Sequence, residues 1–363
     1  MEHRGSALEN LVTMPAQRAF WCGRHVLVTG HTGFKGSWLS LMLERLGAQV
    51  SGISLAPRSG LSTFALLGPW SRLDHHTFDI RDTERLRETL WTMKPQIVFH
   101  LAAQALVRRS YQDPQETFST NIQGTTNLLQ ALRGLTTVEA IVVVTSDKVY
   151  RNDGSGRSFR EQDPLGGSDP YSASKAACEL IVNSFNRSFG SELAPLATAR
   201  AGNVIGGGDY AKDRIIPDIV RSLKQGTPLA LRYPEAIRPW QHILDVSIGY
   251  LLYAQALAER RPNLPRALNF GPPAGNSLPV RAVVEAFGCA LGRAIEWTLM
   301  NDPLPEQPSL TLDATLAREA LGWHPRRSAQ QTIAETVKWY KSERTGTAMR
   351  PASLKAIDEE LAA

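Results

Sequence analysis

The chain has 363 residues, of which 42% are hydrophobic, and a formal net charge of +5. Its basic excess is small and forms no Lys/Arg block, which argues against a nucleic-acid surface and fits a scattered solvated surface or an anionic small-molecule substrate. No apolar run is long enough to cross a bilayer, and the three distant cysteines, Cys22, Cys178 and Cys289, lack metal-ligand spacing, so we predict core thiols, a reducing cytoplasmic setting and no metal site.

The predicted elements begin after a leader. Residues 1–21 contain no apolar core segment, which predicts neither a signal peptide nor an anchor but a flexible leader, or sequence upstream of a start at Met14. From residue 24 to about 200, β-rich runs alternate with amphipathic helix-length stretches, which predicts an α/β fold with a Rossmann-type doubly wound parallel sheet. The strands are predicted at His25–Thr29, Val50–Ile53, Gln96–His100, Ala140–Thr145 and Leu196–Ala199.

A glycine-rich loop follows the first predicted strand and opens a helix that runs to residue 46. The loop reads Gly30-His31-Thr32-Gly33-Phe34-Lys35-Gly36. Glycines there permit a tight turn and let backbone N–H groups approach a pyrophosphate at the helix N-terminus. The strand before and the helix after favour dinucleotide binding over a plain glycine-rich turn. Asp79, before Ile80, is a candidate acceptor for the adenine amino group or, alternatively, a helix cap.

The end of the second strand lacks the acidic residue that usually binds the adenine ribose and selects NAD. The chain has Ile53-Ser-Leu-Ala-Pro57-Arg58 there instead. Arg58 could pair with a 2′-phosphate, so the choice between NAD and NADP stays open on physical grounds.

Two segments carry candidate reacting groups. The buried run from Ala140 to Thr145 predicts a strand that brings Ser146, Asp147 and Lys148 to the carboxyl edge of the sheet, where ligands bind in such folds. Tyr171 and Lys175 lie at i and i+4 on one predicted helix face. We expect the cationic Lys175, together with an oxidised nicotinamide ring, to lower the pKa of Tyr171.

Each of these groups also has an ordinary structural interpretation. The Tyr–Lys pair alone would be a solvated helix face, Ser146 a strand-end cap, and Asp147 with Lys148 a surface ion pair. Together with the glycine loop, they favour hydride chemistry with an acid and a base beside an oxidised sugar.

After residue 200 the alternation loosens, which predicts a smaller C-terminal substrate-binding domain. A helix is predicted over 216–224, and a helical pattern over 245–259 and a strand at Ala267–Phe270 return to the first domain. We predict a dinucleotide-binding domain over 22–200 plus about 240–272, and a sugar-nucleotide-binding domain over about 201–239 plus 273–350.

Several sequence blocks carry a resemblance to a known family. They are Thr29-Gly-His-Thr-Gly-Phe-Lys-Gly36, His100-Leu-Ala-Ala-Gln104, Thr145-Ser-Asp-Lys148, Gly166-Gly-Ser-Asp-Pro-Tyr-Ser-Ala-Ser-Lys175, Arg200-Ala-Gly-Asn-Val-Ile-Gly-Gly-Gly-Asp209, Asp213-Arg-Ile-Ile-Pro217 and Arg238-Pro-Trp-Gln-His242. In this order, over about residues 22–345, the chain resembles the extended short-chain dehydrogenases/reductases, and among them the sugar-nucleotide 4,6-dehydratases. The narrower resemblance is to the branch that acts on CDP-glucose. It rests on Ser-Asp-Lys at 146–148, where other sugar-nucleotide dehydratases have a sequence similar to Thr-Asp-Glu, and on the Asn203 and Arg238 blocks.

That resemblance implies a reaction. Tyr171 would take the C4 hydroxyl proton, assisted by Ser146 and Lys175, as hydride passes to NAD, which is regenerated in every cycle. Asp147 would protonate the leaving C6 hydroxyl. Lys148 would act as base at C5 or stabilise the enolate, giving a 4-keto-6-deoxy sugar for deoxysugar biosynthesis of the O-antigen type. Lys148 can be a base only when neutral, which nearby positive charge would favour.

The resemblance also implies binding residues. Cofactor contacts are expected at Gly30, His31, Thr32, Gly33, Phe34, Lys35, Gly36, Asp79, Ile80, Leu101, Ala102, Ala103, Asn121, Tyr171 and Lys175. Substrate contacts are expected at Gln104, Asn203, Arg214, Arg238 and Glu306. Arg214 and Arg238 would clamp the diphosphate and Glu306 the ribose, with surface ion pairs or a solvated loop carboxylate as alternatives. A homodimer or dimer of dimers, formed through helices near 116–132 and 173–189, is implied by relatives; ordinary packing on the sheet is the alternative.

Two other functions compete with dehydration. A sugar-nucleotide C4 epimerase would use Tyr171 but would need no acid and base at C5 and C6, so Asp147 and Lys148 discriminate against it. A nucleotide-sensing binding subunit would tolerate damage at Tyr171 or Lys175, and both residues are intact.

Overall fold

A sheet of seven parallel strands forms the centre of the computed structural model, which describes residues 14–57, 61–272 and 275–362. The strands of the described ranges are β1 (His25–Thr29), β2 (Gln49–Ser54), β3 (Leu73–Thr77), β4 (Ile97–His100), β5 (Ala140–Val144), β6 (Ser158–Phe159), β7 (Leu196–Ala201), β8 (Val204–Ile205), β9 (Leu229–Leu231), β10 (Ile237–Pro239), β11 (Gln241–His242), β12 (Ala267–Phe270), β13 (Ser277–Pro279), β14 (Trp297–Leu299) and β15 (Thr311–Leu312). The central sheet has the spatial order 3-2-1-4-5-7-12, and every neighbouring pair is parallel. The predicted Rossmann-type doubly wound sheet is confirmed.

Helices cover both faces of this sheet. Those of the described ranges are α1 (Met14–Trp21), α2 (Phe34–Arg45), α3 (Thr63–Leu66), α4 (Thr83–Met93), α5 (Val107–Gln112), α6 (Pro114–Phe118), α7 (Gly124–Leu132), α8 (Pro170–Phe189), α9 (Ile215–Gln225), α10 (Ile243–Ala258), α11 (Val280–Leu291), α12 (Thr315–Leu321), α13 (Ala329–Arg344) and α14 (Met349–Ala362). A π-helical turn, Ser119–Gln123, joins α6 to α7, and a 3₁₀ turn, Asp147–Val149, follows β5. Within these ranges, none of the helices combines the length and the apolar composition that crossing a bilayer requires.

The alternation of side chains along each strand divides the core into two layers. Phe99 of β4 packs in the cluster that contains α2 and α10, whereas the adjacent Val98 packs in the cluster that contains α4, α7 and α8. Strands buried on both faces therefore need continuous apolar runs, which is why β5 was readable from sequence. By contrast, β3 was not predicted, because it is an edge strand of sequence Leu-Asp-His-His-Thr in which Leu73 alone is buried.

Part of the predicted flexible leader belongs to the fold. Residues 14–21 form α1, and the Trp21 ring is fully buried, 6.1 Å from the Phe99 ring between centroids. The Trp21 indole donates to Gln17 Oε1 at 2.9 Å, and Gln17 Nε2 donates to Gln255 Oε1 of α10 at 3.2 Å. The leader prediction is therefore wrong for these residues. A short helix that carries one large anchor has too few apolar positions to show a helical period in the sequence.

Replacing Trp21 by Ala should lower the free energy of unfolding by about 3 to 5 kcal/mol, because it opens a large cavity in the core. Urea unfolding followed by far-ultraviolet circular dichroism measures this loss. Trp297→Ala is the matched control, since that side chain is 39% exposed and should cost far less. An equal loss in the two variants would contradict a core role for α1.

The predicted core thiols are confirmed at one position. Cys178 of α8 is buried, but Cys22 and Cys289 are exposed, so the prediction is wrong for those two. Cys22 follows the last residue of α1, and Cys289 lies in the last turn of α11. Other residues fill the apolar faces of these helices, and the spacing of the cysteines does not show this.

The chain beyond β7 forms smaller units and then returns to the sheet. β9 pairs with β14 and β10 with β13 in separate two-stranded sheets, whereas β12 pairs with β7 and α10 packs on β5 and α2. The helix α12 packs against β12 and α10, although residues 273–350 were predicted in the smaller domain. We propose the predicted two-domain division with α12 moved to the dinucleotide-binding domain.

Candidate active site

The end of β5 presents three consecutive polar residues at the carboxyl edge of the sheet. Ser146 has an extended backbone and caps the 3₁₀ turn that follows, its Oγ accepting from Lys148 N at 3.2 Å. The same Oγ donates to Asp147 Oδ1 at 2.9 Å. The structure thus gives Ser146 the capping role that was its alternative interpretation. Asp147 and Lys148, in the 3₁₀ turn, line one pocket.

The helix α8 brings Tyr171 and Lys175 to the same edge. Asp169 caps it by accepting from Ser172 N at 2.9 Å, and Pro170 occupies the first turn, so the helix begins immediately before Tyr171. One turn later, Lys175 Nζ donates to Val144 O at 3.1 Å, at the last residue of β5. This bond ties the helix to the strand end that carries Ser146.

Burial dominates the acid–base behaviour of the phenol. It raises the pKa of Tyr171 to about 12, while a hydrogen bond with Ser146 lowers that pKa and the Asp147 charge raises it. Burial also lowers the pKa of Lys175. Among the protein groups burial prevails, and the Lys175 ammonium donates to Val144 O. The expected lowering of the Tyr171 pKa by Lys175 together with an oxidised nicotinamide ring stays a prediction. Further positive charge is needed for Tyr171 to act as a base near neutral pH.

Burial and one unpaired oxygen distinguish the Asp147 carboxyl from an ordinary surface carboxylate. It is buried, and burial raises its pKa above the usual value against the opposing charge of Lys148. Among the described residues, its Oδ2 is buried without a hydrogen-bond partner. A carboxyl with a raised pKa and one unsatisfied oxygen in a pocket is suited to general acid catalysis.

Lys148 has a carboxylate partner. Its Nζ lies 3.2 Å from Glu306 Oε1, and the same oxygen accepts from Arg238 Nη2 at 2.6 Å. Burial raises the pKa of Glu306, but Lys148 and Arg238 together outweigh it, so the pKa is lower than usual. Glu306 thus bridges Lys148 and Arg238 on the wall of the pocket, and its predicted contact with the nucleotide ribose stays a prediction.

One cavity of about 280 Å³ brings most of the predicted reacting and substrate-binding residues together. Its lining includes Lys35, Ser146, Asp147, Lys148, Tyr171, Asn203, Arg214, Arg238 and Glu306. Arg214, at the N-cap of α9, is held by Asp209 through an Nη1–Oδ2 contact of 2.9 Å. Arg108 and Arg232 also line the cavity and were not predicted, because each stands outside any motif and only the tertiary fold brings them here.

Two predicted contact residues use their side chains for internal hydrogen bonds. Asn121, in the π-helical turn, accepts from Gln104 N at 2.8 Å and donates to Gln104 O at 3.0 Å and to Ser174 Oγ at 2.8 Å. Gln104 bonds Leu106 through both ends of its amide and also donates to Thr117. With these amide groups paired, the two residues hold the loop after β4 in place, and their predicted ligand contacts stay predictions.

The glycine loop has the geometry that a dinucleotide requires. Gly30 has φ +74°, and a Cβ there would lie 2.7 Å from Ala102 N; a Cβ on Gly36 would lie 2.2 Å from Gly30 O. Gly33 caps α2 without a side-chain hydrogen bond, so the N–H groups of the first helical turn have no side-chain cap to satisfy them. A pyrophosphate therefore fits at this terminus. The backbone of Leu101 and Ala102, after β4, lies next to Gly30, and Ala103 follows them in the chain.

The remaining loop residues differ in character. His31 is buried against Gly52 and His75, and burial first, then the charge of His75, lower its pKa to about 3. Thr32 Oγ1 lies 2.7 Å from Ser54 Oγ, at the end of β2, where NAD-binding folds usually have the acidic residue that binds the adenine ribose. Phe34 packs against Gly206, and burial lowers the pKa of Lys35 to about 8. Arg58, the candidate for a 2′-phosphate, lies outside the described residues.

Asp79 is not a helix cap. The cap of α4 is Asp82, whose side chain accepts from Arg85 N, whereas Asp79 pairs with Arg81 at 2.6 Å. Ile80 is buried against Gly124. The alternative interpretation of Asp79 is wrong, and its predicted adenine contact stays a prediction.

A buried ion pair between Glu179 and Arg200, next to the end of β5, was not predicted from the sequence. Glu179 accepts from Thr145, from Thr198 Oγ1 at 2.7 Å and from Arg200 Nη2 at 2.8 Å. It follows Tyr171 and Lys175 at the next helical interval of four, which is the signal that could have identified it. Through these bonds α8, β5 and β7 are fixed relative to one another at the strand edge.

Comparisons with known proteins identify the family. The family model described as GDP-mannose 4,6 dehydratase matches residues 27–336. The CDP-glucose 4,6-dehydratase of Salmonella typhimurium is 42% identical over 351 residues, covering 95% of this chain and 98% of that protein.

Two solved structures share the fold at 27% identity and a TM-score of 0.77 each. One is a dTDP-glucose 4,6-dehydratase from Streptomyces venezuelae with NAD bound, covering 89% of this chain and 98% of that one. The other is a UDP-glucose 4-epimerase from Thermus thermophilus in complex with NAD, covering 87% and 99%. With the family model matching more than half of the chain and the pocket holding the residues of the resemblance, the protein belongs to the GDP-mannose 4,6 dehydratase family.

Proposed function

We propose that the protein is an NAD-dependent hydro-lyase that converts CDP-D-glucose to CDP-4-dehydro-6-deoxy-D-glucose. This proposal rests on one observation, that Asp147, Lys148 and Tyr171 line the same pocket. A phenol can serve oxidation at C4, but an acid and an amine next to it serve loss of water across C5 and C6. The relative at 42% identity supports the cytidine nucleotide.

Tyr171 removes the proton of the C4 hydroxyl, and Ser146 hydrogen-bonds the phenol while it does so. When bound at the glycine loop, NAD supplies a hydride acceptor for C4 and later a hydride donor for C6. A positive charge held beside Tyr171, such as an oxidised nicotinamide ring, would favour the phenolate form that burial disfavours.

Asp147 and Lys148 carry out the elimination. The 4-ketone makes the C5 proton acidic, and Lys148 either removes that proton or stabilises the enolate as an ammonium. Asp147, whose pKa burial raises, gives its proton to the departing C6 hydroxyl. For Lys148 to act as the base, its amine must be neutral and free of the ion pair with Glu306.

The diphosphate is expected to bind Arg214 and Arg238, with the Asn203 amide as a further donor. Forked guanidinium groups match phosphate oxygens in charge and geometry. Replacing Arg214 by Met should raise KM for CDP-glucose by about 10- to 100-fold, which corresponds to about 1.4 to 2.8 kcal/mol. Steady-state kinetics measures this change.

Arg281→Met is the matched control for Arg214. It removes an arginine of α11 that is paired with Glu235 on the surface and does not line the pocket. Its KM should stay unchanged. An unchanged KM in Arg214→Met would remove Arg214 from the substrate site.

Incubation with CDP-glucose and NAD tests the function. A dehydratase releases water and gives a 4-keto-6-deoxy product of lower mass, whereas a C4 epimerase gives a product of unchanged mass. In deuterium oxide, the product should carry deuterium at C5. A panel with dTDP-, UDP- and GDP-linked sugars tests the nucleotide, and turnover of one of these with no turnover of CDP-glucose would overturn the assignment.

We also propose that the chain forms a homodimer through α6, α7 and α8. Phe118 and Leu180 support this, because both are large apolar side chains on these helices and are 37% and 60% exposed. An exposed apolar surface of this kind favours association.

A further inference from the structure

A second cavity, of about 340 Å³, lies between α9, α11 and α13. None of the residues that line it lines the active-site cavity. Its walls are Val220 and Leu223 of α9, Phe287 and Leu291 of α11, and Val337 and Tyr340 of α13. Four of these six side chains are less than a tenth exposed. Small-molecule sites typically enclose about 300 to 1,000 Å³ and have mainly apolar walls, so this cavity has the size and lining of a binding site.

The polar groups at the cavity carry one predominant charge. Four cations line it, Lys224, Arg293, Lys341 and Arg344, against one carboxylate, Glu343. Glu343 lies 3.8 Å from Lys224, and Lys341 Nζ donates to Ala290 O at 2.9 Å. Across the described parts of the chain, the Arg293 and Arg344 side chains have no hydrogen-bond or ion-pair partner, so two guanidinium groups remain available for an anion.

We propose that this cavity binds an amphipathic anion, a carboxylate or phosphate attached to an apolar chain or ring. The apolar part would fill the space lined by Phe287, Leu291 and Val337. Removing this apolar part from water would be the main source of affinity. The anionic head would receive charge-assisted hydrogen bonds from Arg293 and Arg344.

The two features together exclude simpler ligands. A neutral apolar molecule would form no charge-assisted hydrogen bonds with the arginines. A small inorganic anion would leave the apolar walls exposed to water. A nucleotide sugar would place its hydroxyl groups against apolar side chains, which offer few hydrogen-bond partners. The concave shape between three helices favours a single dissolved molecule over a flat lipid surface.

Isothermal titration of the full-length protein with sodium decanoate, kept below its micelle concentration, tests the proposal. We expect saturable binding of one decanoate per chain. Decyltrimethylammonium has the same chain and the opposite charge, and acetate has the same head without a chain; neither should bind measurably.

The double variant Arg293→Glu/Arg344→Glu should weaken decanoate binding at least about tenfold. Both side chains are exposed and have no side-chain partner among the described residues, so the fold should be retained. Arg18→Glu/Arg72→Glu makes the same charge change at exposed positions outside both cavities and should leave binding unchanged.

Three results would overturn the proposal. They are equal binding of decyltrimethylammonium, undiminished decanoate binding in the Arg293/Arg344 variant, and cosedimentation with phosphatidylglycerol vesicles without binding of dissolved decanoate. The assay contains no nucleotide sugar, so its outcome is independent of the function proposed for the other cavity.

Discussion

Replacing Tyr171 by Phe should lower the turnover of CDP-glucose by about 10²- to 10⁴-fold, the usual contribution of a positioned general base. The variant keeps the ring that packs at the start of α8 and loses only the hydroxyl that faces the pocket. Because the diphosphate contacts are unaffected, KM should change little. Rates of product formation, measured by mass spectrometry over a substrate series, separate the two constants.

Tyr253→Phe provides the control for this variant. It also removes a buried tyrosine hydroxyl, one that donates to Pro265 O at 2.6 Å away from the pocket. Its turnover should stay close to that of the unmodified protein. If Tyr171→Phe were equally active, another group would have to take the C4 proton.

Replacing Lys148 by Met should stop the reaction after oxidation at C4. Loss of the amine removes both its action at C5 and its charge beside the enolate, so we expect a fall in turnover of about 10²- to 10⁴-fold. The readouts are near-ultraviolet absorbance of reduced nicotinamide, which should accumulate, and deuterium at C5 of recovered sugar, which should be absent. Normal turnover in this variant would exclude Lys148 from the elimination.

Lys148→Arg separates the two roles proposed for the amine. Arginine keeps the positive charge next to Glu306 but does not lose a proton at any ordinary pH. If Lys148 removes the C5 proton, the Arg variant should be as inactive as the Met variant. If it stabilises the enolate by its charge, the Arg variant should regain a measurable part of the activity and of the deuterium incorporation.

The features that the sequence predicts correctly are those that a few consecutive residues determine. β1 needs a continuous apolar run, Gly30 needs a positive φ, and Tyr171 and Lys175 share one face of α8 because four residues complete about one helical turn. The contacts of Glu306 are of another kind. It reaches Lys148 across 158 positions, and the irregular segment that holds it is fixed by tertiary bonds such as Tyr233 Oη to Leu304 O.

Burial explains the other differences between expectation and structure. The charge pattern around Tyr171 is visible in the sequence, whereas the desolvation that raises its pKa depends on how completely the chain encloses it. The same holds for Gln104 and Asn121. Their amides look available for a ligand in the sequence, and only the folded loop reveals that each group already has a partner.

The 3₁₀ turn after β5 constrains how this active site can diverge. Because the Ser146 cap and two consecutive side chains form one rigid unit, an inserted or deleted residue would displace the acid and the amine together. Exchanging the side chain at position 147 or 148 would leave the backbone in place. New chemistry at this strand edge is therefore accessible by point mutation, whereas changes in the length of the turn should be selected against.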